Sequence, residues 1–201
     1  MKWNKAAIVL LDPYDRVIVK DALAWKARYQ VPDQFCFSAL DDDGRIPHGF
    51  IPLTSRCLSF SDAETKIILV SHGLPQGVWI RGSLRNAGVV SDWLKTWGVD
   101  AVGLLTFRGC YLGRARFLDD LATMLTVRGI RVGWLLGYRH EAWQWRGTWH
   151  ECSGHYDGDI QDRTNGARKA SDRERVKIVK GNCDVSPPNG YSRRYQISTI
   201  V

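Results

Sequence analysis

The chain has 201 residues, a net charge of +7, and 44% hydrophobic against 24% charged residues. That is the composition of one globular domain with a real core, and it excludes disordered and fibrous classes. Five cysteines, an odd number with no CxxC pair, argue against a disulfide framework and for a reducing compartment.

The positive charge favours an anionic partner: nucleic acid, a phosphorylated metabolite or a membrane surface. The first apolar run, Ala6 to Leu11, is too short for a signal peptide or a membrane span, and Asp12-Pro13 stops it. It reads as a buried strand. Asp15 then caps a helix in which Ile18, Ala22, Trp25 and Tyr29 recur at helical spacing, and Pro32 ends it. Gln34 to Leu40 is strand-like. Asp41-Asp42-Asp43-Gly44 signals a hairpin with a weak return arm near Ile46 to Ile51. Ser55 to Thr65 is a connector.

The stretch from Lys66 to Tyr138 alternates strand and helix. An apolar strand from Lys66 ends in His72-Gly73. A helix runs from Val89 to Trp97 and Gly98 closes it. A second strand, Ala101 to Phe107, ends in Arg108-Gly109-Cys110. A basic helix over Arg114 to Val127 and a third strand over Arg131 to Leu136 complete the set. In open parallel sheets, ligands bind beyond the carboxyl ends of the strands. His72 and Cys110 should share that edge, and a thiol beside an imidazole is the minimal equipment for nucleophilic acyl transfer. Gly109 and Gly113 flank the thiol. Arg108, Arg114 and Arg116 supply nearby cations that favour thiolate. The last third loses the alternation. Residues 147–201 are expected to form a flap-like β-hairpin and C-terminal extension, with a short strand at Val176 to Val179 and an edge strand within Tyr195 to Val201.

Two other patterns compete. Cys110-x5-Arg116 matches the phosphate loop of Cys-dependent phosphatases, but Gly109 replaces the usual preceding His and Phe117 the following Ser or Thr. His150, Cys152, His155 and Cys183 fit no common zinc spacing, so no metal is expected. A non-enzymatic basic module with Trp and Tyr stacking surfaces is a third alternative. No nucleic-acid motif is present, and nucleic acid is not the expected partner.

The order strand–His-Gly, helix, strand–Cys, helix, strand resembles caspase-like cysteine peptidases. Leu69-Val-Ser-His-Gly73 and Arg108-Gly-Cys110 are similar to segments of the autoprocessing cysteine protease domains of large bacterial toxins, the MARTX and clostridial glucosylating types. The acidic turn at 41–44, the helix headed by Asp15 and the segment Asp157 to Arg163 also match in order, from about Ala6 to Lys180. The resemblance implies a caspase-like α/β fold in a single domain over 1–201, with a central, mostly parallel sheet flanked by helices. It implies Cys110 as nucleophile, His72 as base, Asp15 as the orienting acid, and the backbone at Gly73 and Gly109 as the oxyanion region. It also implies a peptide or protein substrate, including the chain itself, and no catalytic cofactor. Inositol hexakisphosphate or another polyanion would activate it by binding a basic face, with Arg139, Arg163, Arg168, Lys169, Lys177 and Lys180 as candidates. Such a domain would be bacterial and would act in a reducing cytosol, including that of a host after delivery. Gly147-Thr-Trp-His150 departs from the family's Gly-Arg-Lys opening of the flap.

Overall fold

The computed structural model describes residues 3–140, 142–145, 148–151, 176–186 and 197–199. The chain starts with β1 (Lys5–Leu10) and α1 (Arg16–Tyr29). β2 (Cys36–Ser38) and β3 (Ile51–Pro52) follow. β4 (Thr65–Val70) leads into three short strands, β5 (His72–Leu74), β6 (Gly77–Ile80) and β7 (Ser83–Arg85). Then come α2 (Ala87–Thr96), β8 (Ala101–Arg108), α3 (Phe117–Val127) and β9 (Arg131–Tyr138). β10 (Ala142–Trp145) and β11 (Thr148–Glu151) pair antiparallel. β12 (Val176–Lys180) and β13 (Ile197–Thr199) end the described chain.

The central sheet has eight strands in the order β13-β12-β9-β8-β4-β1-β2-β3. Every pairing is parallel except β12 against β9. This is an α/β fold with a mostly parallel sheet flanked by helices. Alternation along the strands sorts their side chains onto two faces. Val9, Leu69, Phe107 and Leu135 meet Val90 and Leu94 of α2 and Leu118 and Leu121 of α3. Ile8, Leu10, Ile68 and Val70 meet Ile18, Ala22 and Trp25 of α1. β4 and β8 are buried along their whole length, as continuous apolar runs in the middle of a covered sheet should be.

Two expectations change. The acidic turn forms: Asp41 accepts from the amides of Asp43 and Arg45, and Gly44 takes a left-handed φ of 73°. No hairpin follows, because β2 and β3 pair parallel, Phe37 opposite Ile51. The helix expected from Arg114 begins at Phe117 and contains no Lys or Arg. Residues 111–116 are held in a loop instead, where Gly113 N donates to Tyr138 O at 2.7 Å and Arg114 N to Tyr111 O at 2.8 Å. Asp119 and Asp120 occupy the first turn of α3, where the helix dipole favours negative charge. The expected strand near Val176 forms as β12 and joins the central sheet beside β9. The rest of the anticipated flap, residues 152–175, lies outside the described residues. No described helix is long and apolar enough to cross a membrane.

Candidate active site

The parallel ladder between β4 and β8 sets the site. Val70 stands opposite Arg108, so both strands end level. Ser71 N donates to Arg108 O at 3.3 Å just past the ladder. The next residues on each side are His72-Gly73 and Gly109-Cys110. Their backbones lie so close that a Cβ added at Gly73 would sit 2.4 Å from Cys110 O. One added at Gly109 would sit 3.2 Å from Gly73 N and 3.0 Å from Ser71 O. The two glycines are therefore required by close approach, not by unusual dihedrals. Tyr111, directly after Cys110, has φ 61°. A left-handed non-glycine residue costs energy that the surrounding structure must cover, and such strain clusters at functional sites.

Asp15 arrives from the end of β1 and uses its two carboxylate oxygens separately. Oδ1 accepts from Val17 N at 2.7 Å and caps α1; Oδ2 lies 2.8 Å from His72 Nε2. The cap fixes the direction of the carboxylate, and the carboxylate fixes the ring. Its hydrogen bond to His72 holds the Asp15 carboxyl below the ordinary carboxylate range; burial opposes this, and the Val17 amide adds to it. With Nε2 committed to Asp15, Nδ1 is the ring nitrogen left for chemistry.

A second carboxylate stands nearby. Asp12 is 5% exposed, and burial raises its pKa, with His72 and Arg81 pulling it down and Asp15 pushing it up. Asp12, Tyr14, Asp15, His72, Trp79 and Arg81 line an open cleft of about 370 Å³. The Arg81 guanidinium lies 3.5 Å from the Tyr14 ring centroid and 2.6 Å from Asp42. Tyr14, Trp79, Arg81 and Asp12 escape the sequence reading. The turn Asp12-Pro13-Tyr14-Asp15, placed at a strand's carboxyl end, was the signal for the first and last of these.

The structure thus joins His72 to Asp15 and sets the backbones of Gly73, Gly109 and Cys110 side by side. Burial pushes the Cys36 thiol up to about 11 and raises those of Cys57 and Cys183. The described basic candidates do not converge. Lys177 faces α3, where it pairs with Asp119 and donates to Ala115 O at 2.9 Å. Lys180 lies on the opposite face of β12, 3.8 Å from Asp184. Arg139 donates to Val176 O at 3.3 Å. Arg163, Arg168 and Lys169 lie outside the described residues, as do Cys152 and His155. Among the described residues no cluster of His, Cys, Asp or Glu could hold a metal ion.

No protein-family model matches the chain, and comparisons with the curated proteins and with the solved structures give no significant match.

Proposed function

We propose that the chain is a caspase-like cysteine endopeptidase. The observation that carries this is the level ending of β4 and β8, with the backbone of Gly73 packed on Cys110 and His72 tied to Asp15 at 2.8 Å. Cys110 is the nucleophile. His72 takes the thiol proton, the sulfur attacks the peptide carbonyl carbon, and the carbonyl oxygen takes up the charge beside the Gly73–Gly109 backbone. His72 gives a proton to the departing amine, leaving a thioester. Water then loses a proton to His72, attacks the thioester, and frees the acid and the thiol. Asp15 holds the ring in one tautomer and stabilises its cationic form.

The phosphatase alternative gains nothing from the geometry. Arg116 is 85% exposed, 3.6 Å from Asp120. The amides of Tyr111, Gly113 and Arg114 already donate to carbonyl oxygens, so they are not free to cradle a phosphate.

The test is Cys110→Ala. It should abolish peptide turnover and labelling by thiol-directed peptide electrophiles while leaving the melting temperature within a few degrees. Turnover that survives the substitution removes the reading. Aryl-phosphate turnover dependent on both Cys110 and Arg116 would replace it with the phosphatase.

The same proposal includes activation by inositol hexakisphosphate or another polyanion, autoprocessing, and a toxin-borne role in a reducing cytosol. The net charge of +7 and the resemblance support these parts. Inositol hexakisphosphate should raise both the melting temperature and the labelling rate of Cys110, less so as salt is added. No shift at saturating ligand and low salt removes the activator and leaves the Cys–His pair standing.

A further inference from the structure

Beyond Asp15 on the same sheet edge lies an apolar pocket of about 260 Å³. It shares Tyr14 and Arg81 with the His72 cleft, so the two adjoin. Leu11, Leu40 and Leu53 come from the ends of β1, β2 and β3, and Trp93 and Trp97 come from α2. Ligand pockets for whole small molecules run from about 300 Å³ upward. This one is smaller and suits a single large side chain. Leu40 keeps 52% of its surface exposed at the rim. The wall also holds Arg85, whose Nε is buried and has no hydrogen-bond partner among the described residues.

Resting on the peptidase reading, we infer that this pocket is the subsite for an apolar side chain on the leaving-group side of the cut. The order along the edge decides the side. Cys110 follows β8, His72 follows β4, Asp15 follows β1, and the pocket lies across the ends of β1, β2 and β3. The acyl carbon stays on Cys110 and the departing nitrogen takes its proton from His72. The peptide attached to that nitrogen therefore runs on toward β1 and β2. Strands lie about 4.8 Å apart and an extended peptide advances about 3.3 Å per residue. From the end of β4 to the near half of the pocket, at β1 and β2, is one to two strand spacings, or about two residues. The second residue after the cut fills the pocket.

The experiment digests a random peptide pool with the full chain, with and without inositol hexakisphosphate, and reads the new termini by mass spectrometry. Leu, Ile, Met or Phe should be enriched about tenfold or more over Ser and Asp at the second position after the cut. Leu40→Glu, at the exposed rim, should flatten that enrichment, as should Trp93→Ala. A parallel titration with the amine fragment H-Ala-Leu-Gly amide should move the Trp93 indole signal in NMR spectra, assigned with Trp93→Phe. Cutting without apolar enrichment at any of the first three positions overturns the subsite and leaves the peptidase standing. A Trp93 shift without any cutting keeps the pocket as an apolar peptide site and sinks the peptidase. Neither cutting nor a shift overturns both.

Discussion

Helix α1 carries two carboxylates with opposite fates. Asp15, at its start, is about one-third exposed, hydrogen-bonded on both oxygens, and held below the usual carboxylate range. Asp21, on its inner face, is 8% exposed, and Oδ1 accepts no hydrogen bond among the described residues. Burial drives its pKa up to about 7, against an opposing pull from Arg108. That guanidinium is itself buried, 3.5 Å from the Trp25 ring centroid and 4.8 Å from that of Tyr138. The same side chain is thus an ionised clamp at the helix end and a reluctant acid in the core. Environment, not residue type, divides the roles.

The comparison breaks hardest at the imidazole. His72→Ala removes the proton carrier and should lower kcat/KM by about 10³- to 10⁴-fold, against the 10²- to 10⁴-fold that positioned acid–base groups contribute. A smaller loss, with thiol labelling unchanged, would mean His72 is not the base.

Asp15→Asn is the finer cut. Asn is as good a helix cap as Asp, so Oδ1 can still receive the Val17 amide and α1 should keep its stability. The amide nitrogen would face His72 Nε2 as a donor and force the other tautomer. Turnover should fall about 10²-fold, less than for His72→Ala, with the melting temperature nearly constant. Asp15→Ala should lose the cap as well, at about 1 kcal/mol of stability. An Asn variant that turns over like the parent would leave Asp15 a cap and nothing more.

Asp21→Asn gives the smallest effect, and on stability alone. The folded state keeps a proton that the unfolded chain releases near the ordinary value of 3.8. This contribution is therefore full below about pH 4, is lost as pH rises toward 7, and stays lost above it. At about 1.4 kcal/mol per pKa unit the ceiling is about 4 kcal/mol, and nearby Arg108 reduces what substitution recovers. Asn mimics the protonated acid. It should raise the melting temperature at pH 8 by a few degrees and hardly at pH 4.5. An Asn variant with the parent's pH profile would place the titration elsewhere.

The long elements were legible because their patterns are long. β4, β8 and β9 are apolar runs with buried neighbours on both sides, and α1 has a cap and a stop. The three-stranded sheet β5–β6–β7 was not legible. Its strands have three or four residues, shorter than any periodicity window. It matters, because it carries Trp79 and Arg81 to the cleft and Arg85 to the pocket. The acidic turn misled for a different reason: an Asp-Gly turn fixes a reversal, not what the flanking strands pair with. The three arginines near Cys110 were read as local charge. In the fold Arg108 turns into the core, Arg114 lies 5.7 Å from the Tyr111 ring centroid, and Arg116 faces Asp120 in solvent. Sequence proximity does not report direction.

The level ending of β4 and β8 also has a consequence for how such a chain can drift. Cys110 and His72 are placed by the hydrogen-bond ladder beneath them, not by the chain that joins them. The intervening segment can lengthen, shorten or change its turns while the two residues stay abreast. A one-residue slip in the ladder would turn every side chain of β8 to the other face and carry the thiol away. Length is thus negotiable between the two residues and rigidly policed within the strands that end at them.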